Sequence, residues 1–222
     1  MSAEPLRVAV LYGSHRRHRQ GIGVARFMVA QLADRGLEPV LVDSREADLP
    51  LLDLMAKEYD PGEAPGTMEA VGRTLASADG FIVVAAEYNH SVPPGLKNLL
   101  DHYQSEYLYK PSGIVTYSAG PFGGVRGLVN LRGILAELGT PAIPSAFPVS
   151  AVGRSFDRDG TVRDEAYLER VGRFLDEFEW YALALRRARR EDVQEDAEPV
   201  QQSLCRGEKT EIDDESAHRL PE

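Results

Sequence analysis

The apolar run Val8–Tyr12 is followed by Gly13 and then by Ser14, His15, Arg16, Arg17, His18, Arg19, Gln20 and Gly21. Helical spacing of apolar residues resumes at Ile22, Ala25, Phe27 and Val29. This basic stretch stands in a chain whose formal net charge is −10. Side chains of this type between an apolar run and a helix are suited to hold an anion. The first turn of a helix presents N–H groups with no partner inside the helix, and its dipole favours negative charge. The Ser14 hydroxyl and the guanidinium forks of Arg16 and Arg19 add donors that match phosphate oxygens. Each charge-assisted bond contributes roughly 1.5–3 kcal/mol. The backbone of Gln20, Gly21 and Ile22 completes the expected cradle. The competing reading is a solvated loop, which suits Arg17 as well as anion binding does.

Three kinds of phosphate loop compete for this stretch. A Walker loop closes on Lys-Ser/Thr, and the first lysine here is Lys57. A dinucleotide loop needs G-x-G-x-x-G. Gly13, Gly21 and Gly23 do not have that spacing, although Asp43 ends the second apolar run, where a ribose-binding acid would stand. A longer loop bearing serine and arginine, suited to a mononucleotide phosphate, fits best. His15, His18, His90 and His102 are accompanied by no carboxylate pair and no His-x-x-x-His helix, so no metal site is expected. The sequence YGSHR lacks the G-x-S-x-G elbow of hydrolases.

Two further stretches could face a planar ligand. In AEYNHSVPPGLKNLLD, residues 86–101, Asn tolerates unusual backbone angles and Tyr offers a flat apolar face with a hydroxyl. In YSAGPFGGVRGLVNLRGILAELG, residues 117–139, Gly120, Gly123 and Gly124 let the backbone approach a ring closely.

Together the three stretches resemble one family. GSHRRHRQGIGVA, residues 13–25, is similar to the G-S-x-R-x-x-R-x-G-x-x-V-A opening of the NADPH-dependent FMN reductases, which include flavodoxin-like quinone, azo and chromate reductases. Residues 86–101 resemble that family's P-E-Y-N-x-S-x-P-x-x-L-K-N-x-x-D box, with Ala86 where proline is usual. Residues 117–139 resemble its S-x-G-x-x-G-G-x-R segment and the helix that follows. The resemblance spans about residues 6–150. It implies FMN as cofactor and NADPH or NADH as co-substrate. The FMN phosphate would sit on Ser14, Arg16, Arg19, Gln20, Gly21 and Ile22. The isoalloxazine would pack against Glu87, Tyr88, Asn89 and His90. Ser118, Ala119, Gly120, Gly123 and Gly124 would face the ring where negative charge develops on reduction. The resemblance also implies a homodimer or homotetramer and a small-molecule electron acceptor. Lys97 and Asp101, at i,i+4, either pair on their own helix or meet a second subunit. Arg126 is either a further anion partner or a surface residue.

The elements that must position these residues alternate along the chain. Strands are expected at 6–12, 38–43, 80–87, 111–120 (with its exit loop) and 140–150, the last placed at a sheet edge by its prolines. Helices are expected at about 22–35, 67–77, 92–104, 125–139 and 164–190, with an irregular connection over 44–66 and a turn at FDRDGTV. Five alternations predict an α/β fold: a flavodoxin-like doubly wound parallel sheet of five strands, order 2-1-3-4-5, with helices on both faces.

Charge divides the chain in two. Residues 191–222 hold 11 acidic and 3 basic side chains, net −8, which leaves −2 for residues 1–190. The expectation is an FMN-binding domain over 1–190 and an acidic, disordered tail over 191–222. A negative tail argues against nucleic-acid binding. No stretch approaches the roughly 18 apolar residues of a membrane span, the N-terminus has no signal-peptide pattern, and Cys205 is the only cysteine. The expectation is a cytoplasmic protein without membrane contact. No acid–base catalyst is nominated, because the flavin carries the chemistry. Two other readings stay open: a flavin-bound electron-transfer or sensing module without efficient NAD(P)H turnover, and a binding protein that has lost its cofactor.

Overall fold

The computed structural model describes residues 4–194. Its element order is β1 (Arg7–Tyr12), α1 (Ile22–Asp34), β2 (Glu38–Asp43), α2 (Ser44–Ala47), α3 (Gly66–Ser77), β3 (Gly80–Ala86), α4 (Pro94–Asp101), β4 (Ser112–Tyr117), α5 (Val125–Glu137), β5 (Ala142–Val149), α6 (Val152–Ser155) and α7 (Ala166–Gln194). Two single-turn 3-10 helices, Ala56–Glu58 and Ser105–Tyr107, lie in the connections. The five strands form one parallel sheet in the order β2-β1-β3-β4-β5.

The pleat explains the layers. Val8, Val10 and Tyr12 of β1, with Ile82 and Val84 of β3, join the core shared with α1 and α7. Ala9 and Leu11, with Phe81, Val83 and Ala85, join the core under α3, α4 and α5. Successive side chains point to opposite faces, so β1 from Val8 to Tyr12 and β3 from Phe81 to Ala86 are buried on both sides.

The longest differences from expectation lie in the connections. The 44–66 segment is not wholly irregular. Asp43 accepts the N–H of Arg45 at 3.1 Å and starts α2. Asn98 then takes the N–H of Leu52 at 2.9 Å and donates to the Pro50 carbonyl at 2.8 Å. α4 is shorter than the 92–104 expected, because the chain leaves the helix at His102. α7 begins two residues later than expected and runs four residues past Arg190. Residues 195–222 of the acidic segment lie outside the described residues.

β5 is an edge strand, as its prolines predict, and its outward backbone is occupied. Arg132 donates to the carbonyls of Ile143 and Pro144 at 3.0 and 2.6 Å, Glu177 accepts the Ser145 N–H at 3.4 Å, and Arg170 donates to the Pro148 carbonyl at 2.9 Å.

The amino end of the sheet is tied down by arginines of α7. Arg186 donates to the carbonyls of Glu4 and Pro5 and to Asp79, Arg189 to the Tyr109 carbonyl and Asp79, and Arg190 to Glu4. Beside them the buried Lys110 ammonium donates to the carbonyls of Leu75 and Ala76, both at 2.8 Å, and so closes the C-terminus of α3. Burial, with the nearby Arg189 charge, lowers the Lys110 ammonium to about 8.

Candidate cofactor and donor site

The register aligns Tyr12 with Val84 and Ala86 with Tyr117, so β1, β3 and β4 end together. Their exit loops, 13–21, 87–91 and 118–124, therefore meet at the carboxyl edge, at the switch point between β1 and β3 where open α/β sheets hold ligands.

The first loop covers the start of α1. Gly21 precedes the helix, no side chain caps it, and the first turn carries no acid. Among the described residues the N–H groups of Gln20, Gly21 and Ile22 have no protein acceptor. A Cβ on Gly21 would come within 2.1 Å of the Tyr117 ring, and one on Gly23 within 2.0 Å of the Asp157 carbonyl oxygen. Both positions must be glycine for the helix start to sit this close to its neighbours. Ser14 is buried, its hydroxyl 3.2 Å from the Tyr88 hydroxyl. Tyr117 donates to the Tyr12 hydroxyl at 3.4 Å. Burial pushes both the Tyr12 and Tyr117 phenols above their ordinary range. These hydroxyls stay protonated at neutral pH and form a polar floor beneath the loop.

Arg16 and Arg19 occupy different environments. Arg16 is exposed. The Arg19 side chain is 9% exposed and lies 2.5 Å from the Asp43 carboxylate, whose own side chain is 2% exposed. Arg19 also donates to the Ser14 carbonyl at 3.3 Å and stands 3.6 Å from Glu46. Its charge is balanced by Asp43, and the pair fixes the loop's path. Asp43, read from sequence as a possible ribose acid, is the partner of Arg19 and the N-cap of α2.

The second loop is a tight hairpin. Tyr88 and Ser91 exchange N–H···O bonds of 2.9 Å in both directions, and Asn89 and His90 between them have φ of 50° and 64°. This left-handed pair suits Asn and is strained for His. α5 clasps the hairpin: the Glu87 carboxylate accepts the Arg126 N–H at 3.0 Å, and the Asn130 amide donates to the His90 carbonyl at 2.6 Å. Glu87 thus caps α5, and Arg126 lies 3.6 Å from the same carboxylate and stacks on Phe122. Arg126 is a surface residue with a bracing role, the second of its two sequence readings. Lys97 pairs with Asp101 at 2.5 Å on its own helix.

The third loop is braced from within. Ser118 donates its hydroxyl proton to the Gly120 carbonyl at 2.9 Å and accepts the Gly123 N–H at 3.0 Å, while its own N–H goes to Val149. Its polar atoms hold the loop's shape. Gly123 and Gly124 have φ of 64° and 77°, and a Cβ on Gly124 would meet the backbone of Tyr117 at 3.0 Å. At Gly120 a Cβ would meet nothing within 4 Å, and Ala119 and Gly120 are exposed. Open space over Gly120, free amides at Gln20–Ile22 and a buried hydroxyl floor fit a flat ring with a phosphate tail. Among the described residues no group of three His, Cys, Asp or Glu side chains is placed to hold a metal ion. No helix among them is long and apolar enough to cross a membrane.

A flavodoxin-like sheet with this three-loop site defines a class of mononucleotide-binding redox protein. The sequence profile described as NADPH-dependent FMN reductase matches residues 6–153, and the chain belongs to that family. It is an FMN-dependent oxidoreductase that uses NAD(P)H. It is 36% identical over 140 residues to a protein named quinone reductase from Escherichia coli, an alignment covering 61% of this chain and 72% of the relative. It is 31% identical over 189 residues to a probable NADPH:quinone oxidoreductase 1 of Oryza sativa subsp. japonica, covering 82% and 94%. Among solved structures it superposes on FerB, a flavoenzyme NAD(P)H:(acceptor) oxidoreductase from Paracoccus denitrificans, with a TM-score of 0.62 and 22% identity over 79% of this chain and 98% of that one.

Proposed function

We propose that this protein passes electrons from a nicotinamide donor through FMN to a quinone-type acceptor, in two successive half-reactions at one face of the ring. FMN, when bound, supplies the chemistry of accepting a hydride and releasing electrons to a second substrate. The chain's residues position it. Arg16, Ser14 and the amides of Gln20, Gly21 and Ile22 hold the phosphate. Arg19, paired with Asp43, fixes the loop that carries them. The hairpin Glu87–His90 and the loop Ser118–Gly124 hold the ring, with the amides of Ala119, Gly120 and Gly124 toward its electron-rich edge. The quinone reading is supported by the names of the relatives. The single observation that carries the cofactor reading is the set of unpartnered amides at Gln20–Ile22 at the start of α1.

A homodimer or homotetramer belongs to the same proposal. Phe122, Val125 and Val129 are exposed apolar residues at the rim of the site, the first 60% and the last 70% exposed. A second subunit over them would complete the wall above the ring. We place the protein in the cytoplasm, a reading supported by one cysteine in 222 residues.

The test joins an absorbance spectrum of the purified protein to steady-state oxidation of NADPH and NADH with a simple benzoquinone. Flavin bands and quinone-dependent turnover are expected. Full flavin occupancy without turnover points instead to an electron-transfer module, and a colourless protein that takes up no FMN overturns the reading.

A further inference from the structure

Among the described residues six arginine side chains, Arg16, Arg17, Arg45, Arg154, Arg158 and Arg187, hold no carboxylate or carbonyl. Four of these six come from two segments that touch. Gly153 lies against the side chain of Gln20, so that a Cβ there would approach its Nε2 to 3.1 Å. A Cβ on Gly23 would reach 2.0 Å from the Asp157 carbonyl oxygen and 3.5 Å from the Arg158 Cα. Arg154 and Arg158 are therefore carried to the flank of the same helix start that the FMN phosphate would use, with Arg16 and Arg17 on the loop beside them. All four are exposed. The nearby acids do not neutralise them. Asp157 is held by Arg163, and Asp159 accepts the Thr161 N–H at 2.9 Å.

Exposed guanidinium groups without counter-charge on adjoining segments leave a positive field that attracts an anion. One FMN phosphate carries about two negative charges and is already served by Arg16, Ser14 and three amides. The arginines at 154 and 158 are in excess of what it needs. We propose that Arg154 and Arg158, with Arg17 at their rim, form a second phosphate-binding station that receives a phosphate of the nicotinamide donor. This rests on the FMN oxidoreductase reading. A guanidinium fork matches a phosphate monoester or a pyrophosphate equally, so two groups of the donor qualify: the 2′-phosphate that only NADPH carries, and the pyrophosphate common to NADPH and NADH.

The test compares the FMN-loaded, full-length wild type with R154A/R158A by calorimetric titration with NADP+ and with NAD+, which bind without turnover. FMN affinity is measured in parallel by quenching of free flavin fluorescence. If the 2′-phosphate is the ligand, the variant binds NADP+ about tenfold more weakly and NAD+ within twofold of wild type, with FMN affinity unchanged. If the pyrophosphate is the ligand, NADP+ and NAD+ weaken together and FMN again does not move. R154K/R158K, which keeps the charges and loses the forks, recovers part of the affinity in either case. Unchanged affinity for both nucleotides, or a loss confined to FMN, overturns the station while leaving the oxidoreductase reading in place. A wild type that takes up no FMN instead overturns that reading, and the station with it.

Discussion

The two ends of the sheet use the same side chain in opposite ways. At the amino end Arg186, Arg189 and Arg190 are all matched, to Asp79, Glu4 and a row of carbonyls. At the carboxyl end Arg16, Arg17, Arg154 and Arg158 face water with no protein partner among the described residues. A matched arginine fastens one element to another, and an unmatched one, Arg187 of α7 included, keeps its donors for water or for an anion. Arg19 lies at the carboxyl end yet belongs with the matched group, so partnering, and not location, separates the two kinds.

Removing a matched arginine should cost the most. Arg19→Ala leaves the buried Asp43 carboxylate without its cation, and such a loss costs about 3 kcal/mol or more. Urea unfolding should show that drop in the absence of flavin, and unaltered stability would return Arg19 to the unmatched group. Asp79→Ala strips two partly buried guanidinium groups of one shared partner and should cost about 2 kcal/mol, with FMN affinity retained. Lys110 adds a pH signature to the same end. Its folded value of about 8 lies below the ordinary lysine value. Below pH 8 it is charged in both states and burying that charge opposes folding. Above pH 8 the unfolded chain keeps more protons, so stability rises with pH. From pH 8 to 9.5 the contribution is about 2 kcal/mol. Lys110→Met should flatten that rise in a series of thermal melts.

The unmatched arginines should behave in the reverse manner. Arg16→Ala should leave the melting temperature unchanged and weaken FMN about tenfold, while riboflavin, which has no phosphate, binds as before. Equal weakening of both flavins would break the distinction drawn here. The smallest effect expected is that of deleting residues 195–222. FMN content and the affinity for NADP+ should stay within twofold of wild type. A tighter NADP+ complex after deletion would mean that the acidic segment competes for Arg154 and Arg158.

Much of this was legible before any coordinates. The central strands announce themselves as unbroken apolar runs, because a parallel strand covered on both faces has no polar side. β2 matches its expected bounds, and β1 and β3 differ from theirs by one residue. The turns at the carboxyl edge were legible from their motifs, since backbone in the left-handed region favours particular residues such as Asn89, Gly123 and Gly124. What was not legible depends on contacts between distant residues. The pairing of Arg19 with Asp43 joins positions 24 apart, and no local pattern distinguishes that arginine from Arg16. Ser118 looks like a free hydroxyl until its bonds to Gly120 and Gly123 are seen. Arg154 and Arg158 follow no motif, and only the packing of Asp157 on Gly23 carries them to the start of α1. The loop pinned by Asn98 depends on such a distant contact too, whereas α2 is a single locally capped turn, too short to show a helical period.

The occupied margin of β5 has a bearing on how copies of this chain can meet. Arg132, Glu177 and Arg170 leave no row of vacant amides and carbonyls there for a foreign strand to read, which is the usual defence against runaway stacking. β2, at the opposite margin, carries Pro39 but no comparable cover among the described residues. Any ribbon-like association of this protein would therefore have to start from β2 and, finding no second open margin, would stop at a pair.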